Sequence, residues 1–151
     1  MTLTKSVTDI LNAVILSVKA ILPFDIKLDS PSLFSQPFTQ HSISVLIGLT
    51  GEVRGRLIID GNVESFGRIA EKMFGMYLDG EMLDSFAGEL GNIIAGSFSS
   101  HAFNQGYNMD ITPPTVLVGE AKVYGFSKAF RLPVHLGNAG TLNLILEVDL
   151  Q

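Results

Sequence analysis

Cysteine is missing from this chain altogether, so it has neither a disulfide framework nor a thiolate metal site. Charge is scarce as well: Asp, Glu, Lys and Arg make up only 17% of the residues, and bases are outnumbered 10 to 15. A net charge of −5 excludes a general nucleic-acid binder, although it leaves room for a local basic patch. The three histidines, His41, His101 and His135, are scattered without metal-ligand spacing and read as ordinary surface or part-buried residues. No Walker pattern or dinucleotide fingerprint is present, so Gly61, Gly67 and Arg68 do not read as a phosphate loop. The N-terminal apolar run, Val7 to Leu22, lacks a basic n-region and is broken by Asp9, Asn12, Ser17 and Lys19. It is neither a signal peptide nor long and apolar enough to span a bilayer, and its polar face lacks the bases of a membrane-surface helix. No membrane and no nucleic acid are expected, and the cytoplasm is the default compartment.

What the chain does have is apolar residues, 46% of its 151 positions. That predicts one folded domain over residues 1–151 with a substantial core. Its centrepiece is the stretch Asp79 to Asn104. At about 100° per residue, Leu83, Phe86, Ala87, Leu90, Ile93, Ile94 and Phe98 share one apolar arc of a helix. Ser85, Glu89, Asn92, Gly96 and Ser99 share another face. Asp79 is the expected N-cap, and Glu81 and Asp84 suit the positive helix end. The second face has an unusual composition for a solvated surface: one acid, one amide, hydroxyls and glycine. Glu89 and Asn92, three apart, point the same way one turn apart. Gly88, Gly91 and Gly96 each cost about 1 kcal/mol against alanine in a helix interior, so something must approach the backbone there. Either another helix of the domain packs tightly on these glycines, or a partner comes close.

The rest follows in order. Leu3 to Leu22 reads as an amphipathic helix with Val7, Ile10, Leu11, Val14, Val18 and Ile21 on one side, stopped by Pro23. Asp25 to Gln40 reads as a short extended segment and an irregular connection. Ser42 to Leu49 and Glu52 to Asp60 form a hairpin about Thr50-Gly51, with Gly55 marking a bulge or a close contact. Asn62 to Phe74 is a helix capped by Asn62 and closed by Gly75, with Phe66, Ile69, Ala70 and Met73 as its stripe. After the central helix, closed at Gly106, come an extended Met109 to Pro114, a strand at Val116 to Val118, and strands Tyr124 to Leu136 and Thr141 to Leu150. Pro133 should place the former at an edge or bulge. The fold class is α+β: an antiparallel β-sheet with helices packed on it.

Ser85, three residues, Glu89, two residues, Asn92, twenty-one residues and then Pro114 resembles the signature of the CheC/CheX/FliY family of chemotaxis phosphatases. Gly55-Arg56-Leu57-Ile58-Ile59 and the helix after it resemble the strand and helix that precede that signature. The likeness runs from about Ser42 to Leu150. A single motif helix and the chain length resemble the CheX type, because CheC-like members carry two such helices and FliY-like members an extra domain. Here Glu64 and Glu71 have no asparagine at the required spacing.

The resemblance implies a CheC/CheX-like fold, a homodimer, and hydrolysis of the aspartyl phosphate of a phosphorylated CheY-like response regulator. It implies no cofactor of the protein's own, since Mg²⁺ would be held by the partner's acidic cluster. It assigns Asn92 to orienting the attacking water and Glu89 to pairing with the partner's active-site lysine, with Ser85 and Pro114 as structural support. An amide suits the first task because it both accepts and donates. A carboxylate suits the second through a charge-assisted contact. Two alternatives stand beside the enzyme: a module that binds a receiver domain without hydrolysis, and a structural subunit that assembles through its N-terminal helix.

Overall fold

Thr4 starts the first helix, its hydroxyl accepting the Val7 N–H at 3.2 Å. The computed structural model describes residues 4–35, 37–40, 42–126 and 128–150. The expected helix start at Leu3 and the histidine His41 lie outside them. Helix α1 spans Lys5–Ile21 and ends before Pro23, burying Ile10, Leu11, Val14 and Val18. Three short strands follow, β1 (Lys27–Leu28), β2 (Ser32–Phe34) and β3 (Phe38–Gln40). The hairpin strands are β4 (Ile43–Gly51) and β5 (Val53–Gly61), turning at Glu52. Helix α2 (Val63–Phe74) is capped by Asn62, whose Oδ1 accepts the Ser65 N–H at 2.7 Å, and closed by Gly75 at φ 76°. Helix α3 spans Gly80–Asn104. Then come β6 (Met109–Ile111), β7 (Thr115–Val118), β8 (Ala121–Val123), β9 (Ala129–His135), a 3-10 turn at Gly137–Ala139, and β10 (Thr141–Leu150).

All the pairings among the described residues are antiparallel. The main sheet runs β1-β9-β10-β5-β4-β6, with β2 also on β9 and β7 also on β4, while β3 and β8 form a second, two-stranded sheet. The helices cover one face. Val45 and Ile47 from β4, Leu57 and Ile59 from β5, and Leu142, Leu144 and Leu146 from β10 join the helical side chains in one buried cluster. The opposite face is not open. Ile58, Ala129 and Ile145 pack there with Phe38, under the β3–β8 pair. Burial on both faces is why Leu144-Ile145-Leu146 is apolar without a break. Each fully buried side chain of this size contributes about 1.5–3 kcal/mol.

Gln40 secures that cover. Its buried Nε2 lies within hydrogen-bond distance of the carbonyls of Ser42, Leu117 and Gly119, at 3.0, 2.6 and 2.9 Å, and its Oε1 accepts the Ser44 hydroxyl. Gly55 is a close contact, as expected: a Cβ there would lie 1.8 Å from the Glu147 carbonyl oxygen on β10.

Two expectations need correction. Asp25 to Gln40 is more regular than it reads, because β1, β2 and β3 each find a partner about a hundred residues away. Tyr124 to Leu136 is not one strand: residues 124–126 lie outside any strand, Gly125 has φ 90°, and β9 begins only at Ala129. Pro133 sits inside β9, between the stretches paired to β1 and to β2. Its carbonyl accepts the Asp29 N–H at 3.3 Å. A strand residue's N–H and C=O point to the same side, so the missing N–H also falls at that gap and the β10 ladder loses nothing.

Candidate functional site

The site is built on α3, and its position is set by two valines. Val45 on β4 and Val116 on β7 are register partners. They lie beneath Gly91 and Gly88: a Cβ on Gly91 would come 2.6 Å from Val45 Cγ1, and one on Gly88 would come 3.0 Å from Val116 Cγ2. The helix glycines therefore admit strand side chains, not a second helix and not a partner. Gly96 differs: a Cβ there would meet nothing within 4 Å. Three apart, Gly88 and Gly91 are one turn apart, and the residue following each is Glu89 or Asn92.

Glu89, Asn92 and Ser85 are all exposed. Along an ideal helix Glu89 and Asn92 are separated by about 4.5 Å of rise and about 60° of rotation. Neither side chain makes a hydrogen bond or ion pair with another described residue. The helix thus presents a carboxylate and a carboxamide with their bonding capacity unused. Ser99, lower on the same face, is committed: its hydroxyl donates to the Met109 carbonyl at 2.8 Å and ties the helix to β6.

Pro114 is half-buried in the segment between β6 and β7. Thr112 anchors that segment to β4, its N–H donating to Gly48 O at 3.0 Å while its Oγ1 accepts the Gly48 N–H at 2.8 Å. Two residues beyond Pro114, Val116 reaches Gly88. The proline therefore leads the chain from one anchor to the next, alongside the turn that carries Glu89.

Two details differ from the sequence reading. Asp79 occupies the N-cap with extended backbone (φ −142°, ψ 171°), but its side chain makes no capping hydrogen bond. Ile93, placed on the apolar arc, is 36% exposed. The buried arc is displaced toward the small residues, Gly88, Gly91, Ala95 and Ala102, because the sheet approaches the helix from that side. Ile93 is left at the opposite margin, next to the ridge. Met82 and Phe74 are exposed as well, so large apolar side chains stand on the Glu89 side of the helix, which the periodicity alone did not reveal.

A concavity of about 590 Å³ at the C-terminal end of α3, between Ser99, Phe103, Asn108 and Asp110, includes neither Glu89 nor Asn92. Among the described residues no group of three His, Asp or Glu side chains is arranged to hold a metal.

A family model described as chemotaxis phosphatase CheX matches residues 43–127, which include Ser85, Glu89, Asn92 and Pro114. The CheY-P phosphatase CheX of Thermotoga maritima is 31% identical over 147 residues, 94% of each chain. The crystal structure of the CheX-CheY-BeF3-Mg²⁺ complex from Borrelia burgdorferi matches with a TM-score of 0.73 at 26% identity, over 95% of this chain and 97% of that one. Chemotaxis protein CheX from Vibrio vulnificus gives a TM-score of 0.78 at 19% identity, over 97% and 100%, a likeness of fold.

Proposed function

The chain belongs to the CheX family of chemotaxis phosphatases, and on that premise we propose that it hydrolyses the aspartyl phosphate of a CheY-type response regulator, with Asn92 and Glu89 as its working residues. Asn92 enters the partner's active site and orients a water in line with phosphorus. Its carboxamide can accept from that water and donate to a phosphoryl oxygen without altering the charge of the site. Glu89 pairs with a lysine of the receiver and fixes the register of docking. The water oxygen bonds to phosphorus as the bond to the aspartyl oxygen breaks. The aspartate leaves as a carboxylate with the bonding electron pair, and the water's proton goes to inorganic phosphate or solvent. Positioning supplies the acceleration, because an acyl phosphate is already reactive. Mg²⁺ would be held by the receiver's acidic cluster and would supply neutralisation of developing charge there. Ser85 and Pro114 support the site. The protein works as a single-domain homodimer in the cytoplasm, and no described helix is long and apolar enough to cross a membrane.

One observation carries this reading: Glu89 and Asn92 stand exposed and unpartnered, one turn apart, on a helix pinned from below by Val45 and Val116. The test is phosphate loss from a phosphorylated CheY protein in Mg²⁺, with the wild type and with Asn92→Ala. Acceleration by the wild type that disappears in the variant supports the assignment. An undiminished rate in the variant removes Asn92 from the chemistry, and tight binding without acceleration identifies a binding-only module.

A further inference from the structure

The ridge has two unlike sides. On the side beyond Asn92 lies Gly88 against Val116, the residue that follows the proline-bearing segment 112–115. On the side beyond Glu89 the helix shows hydrocarbon. With Glu89 as the origin, Met82, Ile93 and Phe86 lie about 20°, 40° and 60° round the helix. Phe86 is covered because Phe74 from α2 stacks edge-on against it, ring centroids 5.6 Å apart. Phe74 itself remains 59% exposed, Met82 63% and Ile93 36%. Three large apolar side chains therefore border the catalytic carboxylate with no charged residue of α3 among them.

We propose that this flank is the docking platform for the phosphorylated receiver domain, which places an apolar part of its surface on Phe74, Met82 and Ile93 while its acidic pocket receives Glu89 and Asn92. The inference rests on the function proposed above. Its first support is geometric. A specific complex covers about 800 Å² on each partner, a disc of about 16 Å radius. Met82 is about 10 Å along the axis from Glu89, and Ile93 about 6 Å. A footprint of that size centred on Glu89 and Asn92 reaches both positions. The second support is electrostatic. The chain carries five more acidic than basic charges, yet within about 60° of Glu89 on this side of α3 stand Met82, Phe86 and Ile93 and no second carboxylate, which suits a surface facing an acidic pocket. Its make-up, an aromatic ring with an adaptable thioether and no lysine, is that of an interface centre.

The experiment measures both affinity for a CheY-type receiver carrying beryllium fluoride and steady-state turnover of the phosphorylated form. Met82 and Ile93 are 63% and 36% exposed, and thermal melting of Met82→Ser and Ile93→Ser checks that each keeps its fold before binding is measured. Each is expected to weaken binding severalfold, and the pair together about tenfold or more, as a rise in KM with kcat retained. Leu33→Ser serves as control, since Leu33 is 63% exposed on β2, which pairs with β9 toward the opposite edge of the sheet from β4 and β6, and it is expected to change neither. Unaltered affinity in the double variant overturns the platform. So does equal weakening by Leu33→Ser. Unaltered affinity with a shift in sedimentation of the free protein also overturns it, assigning the flank to a second copy of the chain. A wild type that binds without turnover defeats the proposed hydrolysis, while the binding comparison still decides the platform. A wild type that does not bind defeats both.

Discussion

Gly91 of α3 rests directly on Val45 of β4, so close that a methyl group at Gly91 would come 2.6 Å from Val45 Cγ1 and 3.1 Å from its Cβ. Two effects of Gly91→Ala oppose each other. The helix gains about 1 kcal/mol in propensity. Overpacking a buried contact costs about 1–3 kcal/mol. Val45 is fully buried in the sheet and its methyls have nowhere to go, so the cost wins. Chemical denaturation should show Gly91→Ala destabilised by about 1–2 kcal/mol. In a Val45→Ala background the same change should cost less or become favourable, and strict additivity of the two changes would contradict the contact.

Gly96→Ala should behave in the opposite way. Nothing lies within 4 Å of its methyl position, so the variant is expected to be more stable by about 0.5–1 kcal/mol. Gly96 is also one turn beyond Asn92 on the exposed face, where a methyl would meet a docked partner. Melting temperature and KM for the phosphorylated receiver should both rise. A rise in melting temperature alone would show that the partner stands clear of Gly96.

The roles assigned to the two site residues separate in kinetics. Asn92→Ala should lower kcat about 100-fold or more with little change in KM, because it removes the orientation of the water. Asn92→Asp should be no better, since it loses the donor and adds negative charge beside a phosphoryl group. Glu89→Ala should act mainly on KM, through loss of a charge-assisted contact. Stopped-flow release of inorganic phosphate across receiver concentrations resolves the two, and a pure kcat effect at Glu89 would reverse the assignment.

Acid should loosen the attachment of α1. Lys5 Nζ donates to Asp9 Oδ2 at 2.9 Å and Tyr107 Oη donates to the same oxygen at 3.1 Å. The hydrogen bond from Lys5 lowers the Asp9 pKa most, with a further contribution from Tyr107 and partial opposition from burial. A carboxyl more acidic in the folded state than in the unfolded chain stabilises the fold above the unfolded value, about 3.9. That contribution disappears as pH falls through the lower, folded value. Asp9→Asn should flatten the stability profile below about pH 4, and Tyr107→Phe should flatten it in part. Denaturant midpoints across that range measure both, and a slope equal to the wild type's in Asp9→Asn would exclude Asp9 as its origin.

The sequence disclosed the helices well, because their signals are local. Asn62 and Gly75 bracket α2, Pro23 stops α1, and Gly106 follows α3. Ser85, Glu89 and Asn92 were legible because their spacing, with Pro114, resembles the family signature; the low charge of their face alone also fitted simple packing, and all three do share the exposed ridge. The strands of two or three residues between Lys27 and Gln40 were hidden, because pairing with β8 and β9 creates them and no periodicity develops over so short a length. Ile93 was misplaced for a related reason. A helical wheel weighs hydrophobicity, and the sheet selected the glycine side of α3 because only there could it come near. The flank of Phe74, Met82 and Ile93 was beyond the sequence, since exposed hydrocarbon reads as core until the core is seen to be elsewhere.

The cross-strand pair Val45–Val116 has a consequence for recognition. It wedges α3 in one orientation before any encounter, so docking freezes little more than the rotamers of the ridge. Such a surface behaves as a rigid stencil. Discrimination among receivers then falls to the visitor, whose pocket must already match the outline, and poorly matched receivers depart quickly instead of moulding themselves a fit.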